Sequence, residues 1–431
     1  MKKTIAVVGI LVVGLVVGMP YVTGMVAEKT LKKAVVNLNQ NKQNGVSEIT
    51  KVDRGFRNSN YQFSWTPPAL LGPEFAELFG SKIEYSCDAK HGMLAINYDC
   101  QFDNLESYTE FVKEYLGGKD PLSVTGKVSL FGEVSQEIAL DAFSVNEDGE
   151  SLKVRSGLIS ILTDANFGEY LIDGEFGGVV VNTPGSNVDI GKMTMDGDIR
   201  LEEDGLQTGV FELGFSKLES EEVSMKGGKI KASSQLNNEN VDFDYLLSVD
   251  QLQSQAAPQP VELDNLKLQF IGNGLDREAM SELNNQMKEI ANQGAEMQPQ
   301  QMTALLPIIE SLLKKDLSLW LNMAVDYQKQ PMKTDIAMTL LEDTTIAELS
   351  VVAYNPEALL DKMQASINMN LPNSVVESVP AFQYQVQSSP LYKQVGDAYQ
   401  SSLVLQKNNI KLNGESMSFQ ELLTLVMQSA L

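Results

Sequence analysis

Few side chains in this sequence have the type and spacing to do chemistry. Ser311-Leu312-Leu313-Lys314 has the S-x-x-K spacing, in which a lysine one turn away activates a serine nucleophile. Its usual S-D-N and K-T-G companions are absent, and its neighbours read as the apolar face of a helix, so chance spacing is the favoured reading. The single histidine, His91, sits in Ala89-Lys90-His91-Gly92, a hairpin-turn sequence. With no matching nucleophile and acid, its expected role is a local hydrogen bond rather than general base catalysis. One histidine and two cysteines cannot build a Cys/His zinc cluster. The acidic stretches Glu147-Asp148-Gly149-Glu150, Glu202-Glu203-Asp204 and Glu219 to Glu222 lack calcium-loop spacing and read as solvated loops and strand edges. Cys87 and Cys100 are close in sequence but not C-x-x-C, so a structural disulfide is expected if the chain is exported. The expectation is a non-enzymatic protein with no cofactor, no metal and no catalytic residues.

The elements that carry these residues are mostly strands. Val241, Phe243, Tyr245, Leu247 and Val249 alternate with polar partners, as do Phe211, Leu213 and Phe215, and Val124 and Val128, which is the period of half-buried strands. Asp148-Gly149, Asp173-Gly174, Asp196-Gly197, Asp204-Gly205 and Gly227-Gly228 read as the turns between them. No βαβ alternation appears, which argues against a nucleotide-binding parallel sheet. Further along, Asp276 caps a helix with the stripe Met280, Leu283, Met287 and Ile290. A second helix carries Leu305, Ile309 and Leu312 around Pro307, and Ser418 with Glu421 forms a capping box for the last helix. The expected fold is α+β and predominantly β, an extended antiparallel meander with helices packed on its C-terminal part. Its expected organisation is an anchor and stalk over residues 1–45, a β-rich region over 46–271, and an α+β region over 272–431 continuous with the same sheet system.

Lys2 and Lys3 precede an uncharged run from Thr4 to Ala27 that would span roughly 36 Å as a helix, enough to cross a bilayer. A retained transmembrane helix containing Ile5, Leu11, Gly14 and Gly18 is the favoured reading, and a cleaved signal peptide is the competing one. Gly14 and Gly18 make a G-x-x-x-G step that would let two anchors pack as a homodimer; glycine is also simply common in membrane helices. Leu31, Ala34, Val35 and Leu38 continue helical spacing into the expected stalk. The net charge of −24 argues against a nucleic-acid partner, because a polyanion is held by clustered Lys and Arg. Met193, Met195, Met323, Met338 and Met369 fall on apolar strand faces, where methionine either fills core gaps or lines an adaptable groove. A lipid held between the sheet and the helices from Asp276 to Lys314 is therefore the alternative to a role through protein or envelope contacts.

Four stretches together resemble the YdgA-like family of bacterial proteins: the MKK-plus-apolar start, Asp53-Arg54-Gly55-Phe56, His91-Gly92, and the C-terminal run from Tyr399 to Leu422. The family often has proline where this chain has Met93. The resemblance implies a single-pass anchor in the bacterial inner membrane with the body in the periplasm, and supplies no catalytic residues.

Overall fold

The computed structural model describes residues 19–36, 39, 45–67, 80–103, 106–164, 166–255, 261–292, 299–351, 356–378, 380–407 and 409–429. The chain divides into two compact units that interleave in sequence: 1–184, 193–207 and 285–298 form one, and 185–192, 208–284 and 299–431 form the other.

The first unit begins with helix α1 (residues 19–36), and helix α2 (Glu106–Tyr115) lies between its strands. Its strands are β1 (Val46–Arg54), β2 (Asn58–Thr66), β3 (Ile83–His91), β4 (Ala95–Phe102), β5 (Leu122–Ser129), β6 (Val134–Leu140), β7 (Phe143–Glu147), β8 (Glu150–Val154), β9 (Gly157–Thr163), β10 (Glu169–Phe176), β11 (Val179–Thr183) and, after β12 (Ser186–Ile190) of the other unit, β13 (Met193–Leu201). All pairings are antiparallel, in the order β1-β2-β3-β4-β5-β6-β9-β10-β13, with β7-β8-β11 as a smaller ladder. The register aligns one inner row across the sheet: Ser59, Ala89, Tyr98, Gly126, Gln136, Ile161 and Ile172. Side chains of β2, β3, β4, β6, β9, β10 and α1 meet around one space, so the sheet curls about the helix.

The face that α1 turns to the sheet is Pro20, Thr23, Gly24, Ala27, Leu31, Ala34 and Val35, a stripe at i, i+3, i+4 and i+7. Thr23, Ala27 and Ala34 are buried, Ala27 at 1% exposure. This corrects the reading of Thr4 to Ala27 as one lipid-facing span, since its last turns are covered by protein. Leu31, Ala34 and Val35 of the stripe expected in a stalk pack in the core with Tyr61, Phe63, Cys87, Ala89 and Ile96, and Leu38 lies outside the described residues. Among the described residues no helix is long and apolar enough to cross a membrane. Ile5, Leu11, Gly14 and Gly18 lie outside the described residues.

The second unit pairs β12 with β14 (Gln207–Glu219) and continues through β15 (Val223–Asn237), β16 (Asn240–Ser254), β17 (Val261–Asp276), β18 (Ser318–Tyr327), β19 (Gln330–Leu340), β20 (Met363–Pro372), β22 (Ala398–Leu405), β23 (Ile410–Leu412) and β24 (Glu415–Met417), with the short β21 (Lys393–Val395) also on β22. Helices α3 (Arg277–Asn292) and α4 (Pro299–Leu312) close a cluster of Leu275, Ala279, Leu312, Leu317 and Leu340. Asp276 caps α3 by accepting the Ala279 N–H at 2.9 Å, and the Ser418–Glu421 capping box forms before the helix Phe419–Ser429.

Asp148-Gly149 and Asp204-Gly205 are turns, as read. Asp173-Gly174, Asp196-Gly197 and Gly227-Gly228 are not: they lie inside β10, β13 and β15. The physical reason is visible at Gly228, which faces Phe215 across the ladder. A Cβ there would collide with that ring, as one at Gly126 would with its cross-strand partner Tyr98 and one at Gly272 with Phe243. Glycine in these strands makes room for an aromatic ring lying across it.

Cys87 and Cys100 face each other on β3 and β4 and are bonded. Closing this short loop is expected to stabilise the first unit by about 3 kcal/mol. Urea unfolding with and without reductant measures it; an unchanged midpoint on reduction would contradict the assignment.

Candidate functional site

The first unit holds an apolar cavity of about 300 Å³ between α1 and the curled sheet. The volume lies at the lower end of the range for small-molecule sites. Its walls are Ala27, Leu31, Ala34 and Val35 of α1, the rings of Tyr61, Phe63, Tyr85, Tyr98 and Tyr170, the aliphatic Ile96, Val134, Ile161 and Ile172, and the Cys87–Cys100 bridge. Among the described residues no charged side chain lines it. Two small residues on α1, Ala27 and Ala34, keep the helix from filling the concavity. Burial pushes the Tyr98 phenol up to about 12 and raises those of Tyr61 and Tyr85, so all three stay protonated at neutral pH.

Two wall hydroxyls are unusual. Thr163, 6% exposed, has no hydrogen-bond partner for its Oγ1 among the described residues, and Tyr61, 1% exposed, meets the Ser59 side chain without reaching full hydrogen-bond geometry at its Oη. Buried hydroxyls are nearly always bonded. Nearby ones are: Ser59 Oγ lies 2.8 Å from His91 Nε2, and Thr23 Oγ1 lies 2.8 Å from both the Pro20 and Gly92 carbonyl oxygens.

The start of α1 is held by a clasp built from two of the stretches that carry the family resemblance. Arg54 donates to Glu28 at 2.9 Å and its guanidinium lies 5.1 Å from the Tyr21 ring centre, while Tyr21 stacks on Phe56. The hydrogen bond from Lys32, with the charges of Lys32 and Arg54, holds the Glu28 carboxyl below its usual range. On the other hairpin, Gly24 passes so close to the His91 imidazole that any Cβ would strike it. His91 Nδ1 is 3.3 Å from the Phe56 carbonyl, which can only accept; the neutral ring therefore carries its proton on Nδ1 and accepts from Ser59 at Nε2. His91 thus ends β3 and bonds to the β1–β2 hairpin through Ser59 and Phe56, distant in sequence where a local bond was expected, while α1 meets its ring at Gly24.

The other sequence candidates do not assemble. Ser311 and Lys314 are exposed at the end of α4, and the Ser311 hydroxyl donates to the Pro307 carbonyl at 3.0 Å, a backbone role. Among the described residues no group of three or more His, Cys, Asp or Glu converges on a metal position. An apolar space lies under α1; at the helices from Asp276 to Lys314, α3 and α4 pack on the Leu275–Leu340 cluster, and the cleft beside α4 is lined by the charged Glu310, Lys314 and Asp343 as well as Leu306 and Leu313. Tyr61, Tyr98, Thr163 and Ala27 were not singled out from the sequence. The available signals were the shared inner-face parity of Tyr61 and Phe63 and the small residues on the buried stripe of α1.

Burial, above all, lowers the His91 pKa. The unfolded chain then takes up the proton more readily than the folded one. The clasp is therefore at full strength above the ordinary histidine value of about 6.5 and weakens as pH falls between that value and the lowered folded one. Hydrogen exchange over residues 20–30, corrected for intrinsic rates, should show faster opening on acidification in that window, and His91→Asn should abolish the dependence; a pH-independent wild type would contradict it.

No curated protein and no solved structure gives a significant match to the chain. One family does, over nearly its whole length: residues 1–420 match the family described as "Bacterial protein of unknown function (DUF945)". The chain belongs to this bacterial family of unknown function.

Proposed function

We propose that this protein is a non-enzymatic component of the bacterial envelope that holds the acyl part of a lipid beneath α1. The observation that carries the reading is the aromatic-rich, uncharged cavity of about 300 Å³. The space is partly open, so without an occupant water meets its apolar walls, and an apolar occupant removes that contact. The cavity takes over the lipid-binding alternative drawn from the sequence and moves it to the first unit.

The hydroxyls of Tyr61 and Thr163 specify the occupant further. Both can donate, so they suit an oxygen acceptor. A carboxylate would be buried with no cation among the described residues of the wall, which is unfavourable, so a neutral acyl ester fits better than a free fatty acid. The apolar run preceding α1 and the YdgA-like features support a tether in the inner membrane with the body on the periplasmic side, and the disulfide suits that compartment.

Ala34→Phe places a ring in the cavity. In full-length chain labelled with a photoactivatable acyl ester, this variant is expected to lose roughly tenfold in affinity with no fall in melting temperature, since filling a void does not weaken a core. Unchanged labelling would refute the site. Tyr61→Phe and Thr163→Val should each weaken an acyl ester by about five-fold, the value of one hydrogen bond, and leave an alkane of equal length unaffected. Equal losses for ester and alkane would contradict the assigned oxygen contact.

A further inference from the structure

The sheet of the first unit has one end unlike the rest of its surface. Because β1 to β6 are neighbours in an antiparallel meander, the turns β1–β2, β3–β4 and β5–β6 project from the same end. Each presents large apolar side chains to solvent: Phe56 at 48% exposure, Met93 at 48% and Leu94 at 65%, and Phe131 at 80%. Hairpin turns normally carry polar residues; apart from the Phe56 ring, which also stacks on Tyr21, these side chains join none of the core clusters. The adjacent outer face of α1 adds Val22 and Met25, exposed at 44% and 48%. The turns hold together as one surface: Leu130 N–H donates to the Leu94 carbonyl at 2.7 Å, and the clasp joins Phe56 and Gly92 to the start of α1.

We infer that this end of the first unit lies in the headgroup region of a lipid bilayer, with Phe56, Met93, Leu94 and Phe131 inserted and the outer face of α1 against the acyl boundary. Two observations select a membrane over a protein partner. First, α1 begins at this end, and the sequence directly preceding it is the apolar run Thr4–Gly18, so the chain arrives at the patch from its most lipid-compatible segment. Second, Arg57 is exposed among these turns and Arg54 stands beside Tyr21, in a chain whose net charge is −24. An aromatic residue with a flanking arginine at an apolar rim is the composition of membrane-interface contacts. The inference rests on the proposed membrane tether and adds the face that meets the lipid.

The test uses the full-length wild-type chain in liposomes of phosphatidylethanolamine and phosphatidylglycerol, labelled with a small apolar carbene probe that partitions into the bilayer, with the adducts mapped by peptide mass spectrometry. Leu158, Leu162 and Leu171 are the internal controls: they are 45–49% exposed on β9 and β10 of the same unit. The expected result is severalfold more label on the three turns than on those leucines. Equal label on turns and controls, with the chain still in the liposomes, would overturn the docking face alone. A chain that does not associate with the liposomes would overturn the tether and the docking face together. In a Leu94→Ser and Phe131→Ser variant that keeps its melting temperature, label on the β1–β2 turn should fall; unchanged label there would argue against a shared face.

Discussion

The first unit depends on one packing event, the burial of the narrow stripe of α1 against the concave face of an antiparallel sheet. Half-buried strands must have their apolar side covered. Here a single helix supplies the cover, and it does so with threonine, glycine and alanine at the contact positions. Small residues let the helix approach His91 and the β3–β4 turn closely at its start. At Ala27 and Ala34 they set no large side chain against the sheet's aromatic rings, which pack on one another, and the cavity is the space that results. The same choice of residues thus produces both the tight clasp and the loose interior.

The regular features were legible in the sequence because they are local. Period-two alternation, the Asp276 cap, the Ser418–Glu421 box and the Cys87–Cys100 pair each depend on residues within a turn or a hairpin, and each is present. What failed was the reading of residues whose meaning is set by a distant partner. An apolar helical run looks the same whether lipid or a sheet covers it, so Thr4–Ala27 read as one span although Thr23 and Ala27 face protein. Aspartate-glycine pairs are turn chemistry only when nothing crosses them. Gly174 instead sits against Ile159 and Met195, inside the sheet. The site was hidden for the same reason: Tyr61, Thr163 and Ala34 lie on β2, β9 and α1 and meet only where sheet and helix surround the cavity.

The clasp gives the cavity a place relative to the rest of the chain. Arg54, Phe56, His91 and Gly92 hold α1 near the first of its described residues, on the helix that also walls the cavity. In the proposed setting, a lipid-embedded run would tie the helix that walls the cavity to the bilayer, the source of the ligand. The most direct test of this account is native mass spectrometry of the full-length chain taken from the cells that make it, activated enough to strip detergent. The account predicts one retained acyl ester per chain, lost on reduction of the cavity by Ala34→Phe; a bare polypeptide mass from wild-type chain under the same conditions would contradict it.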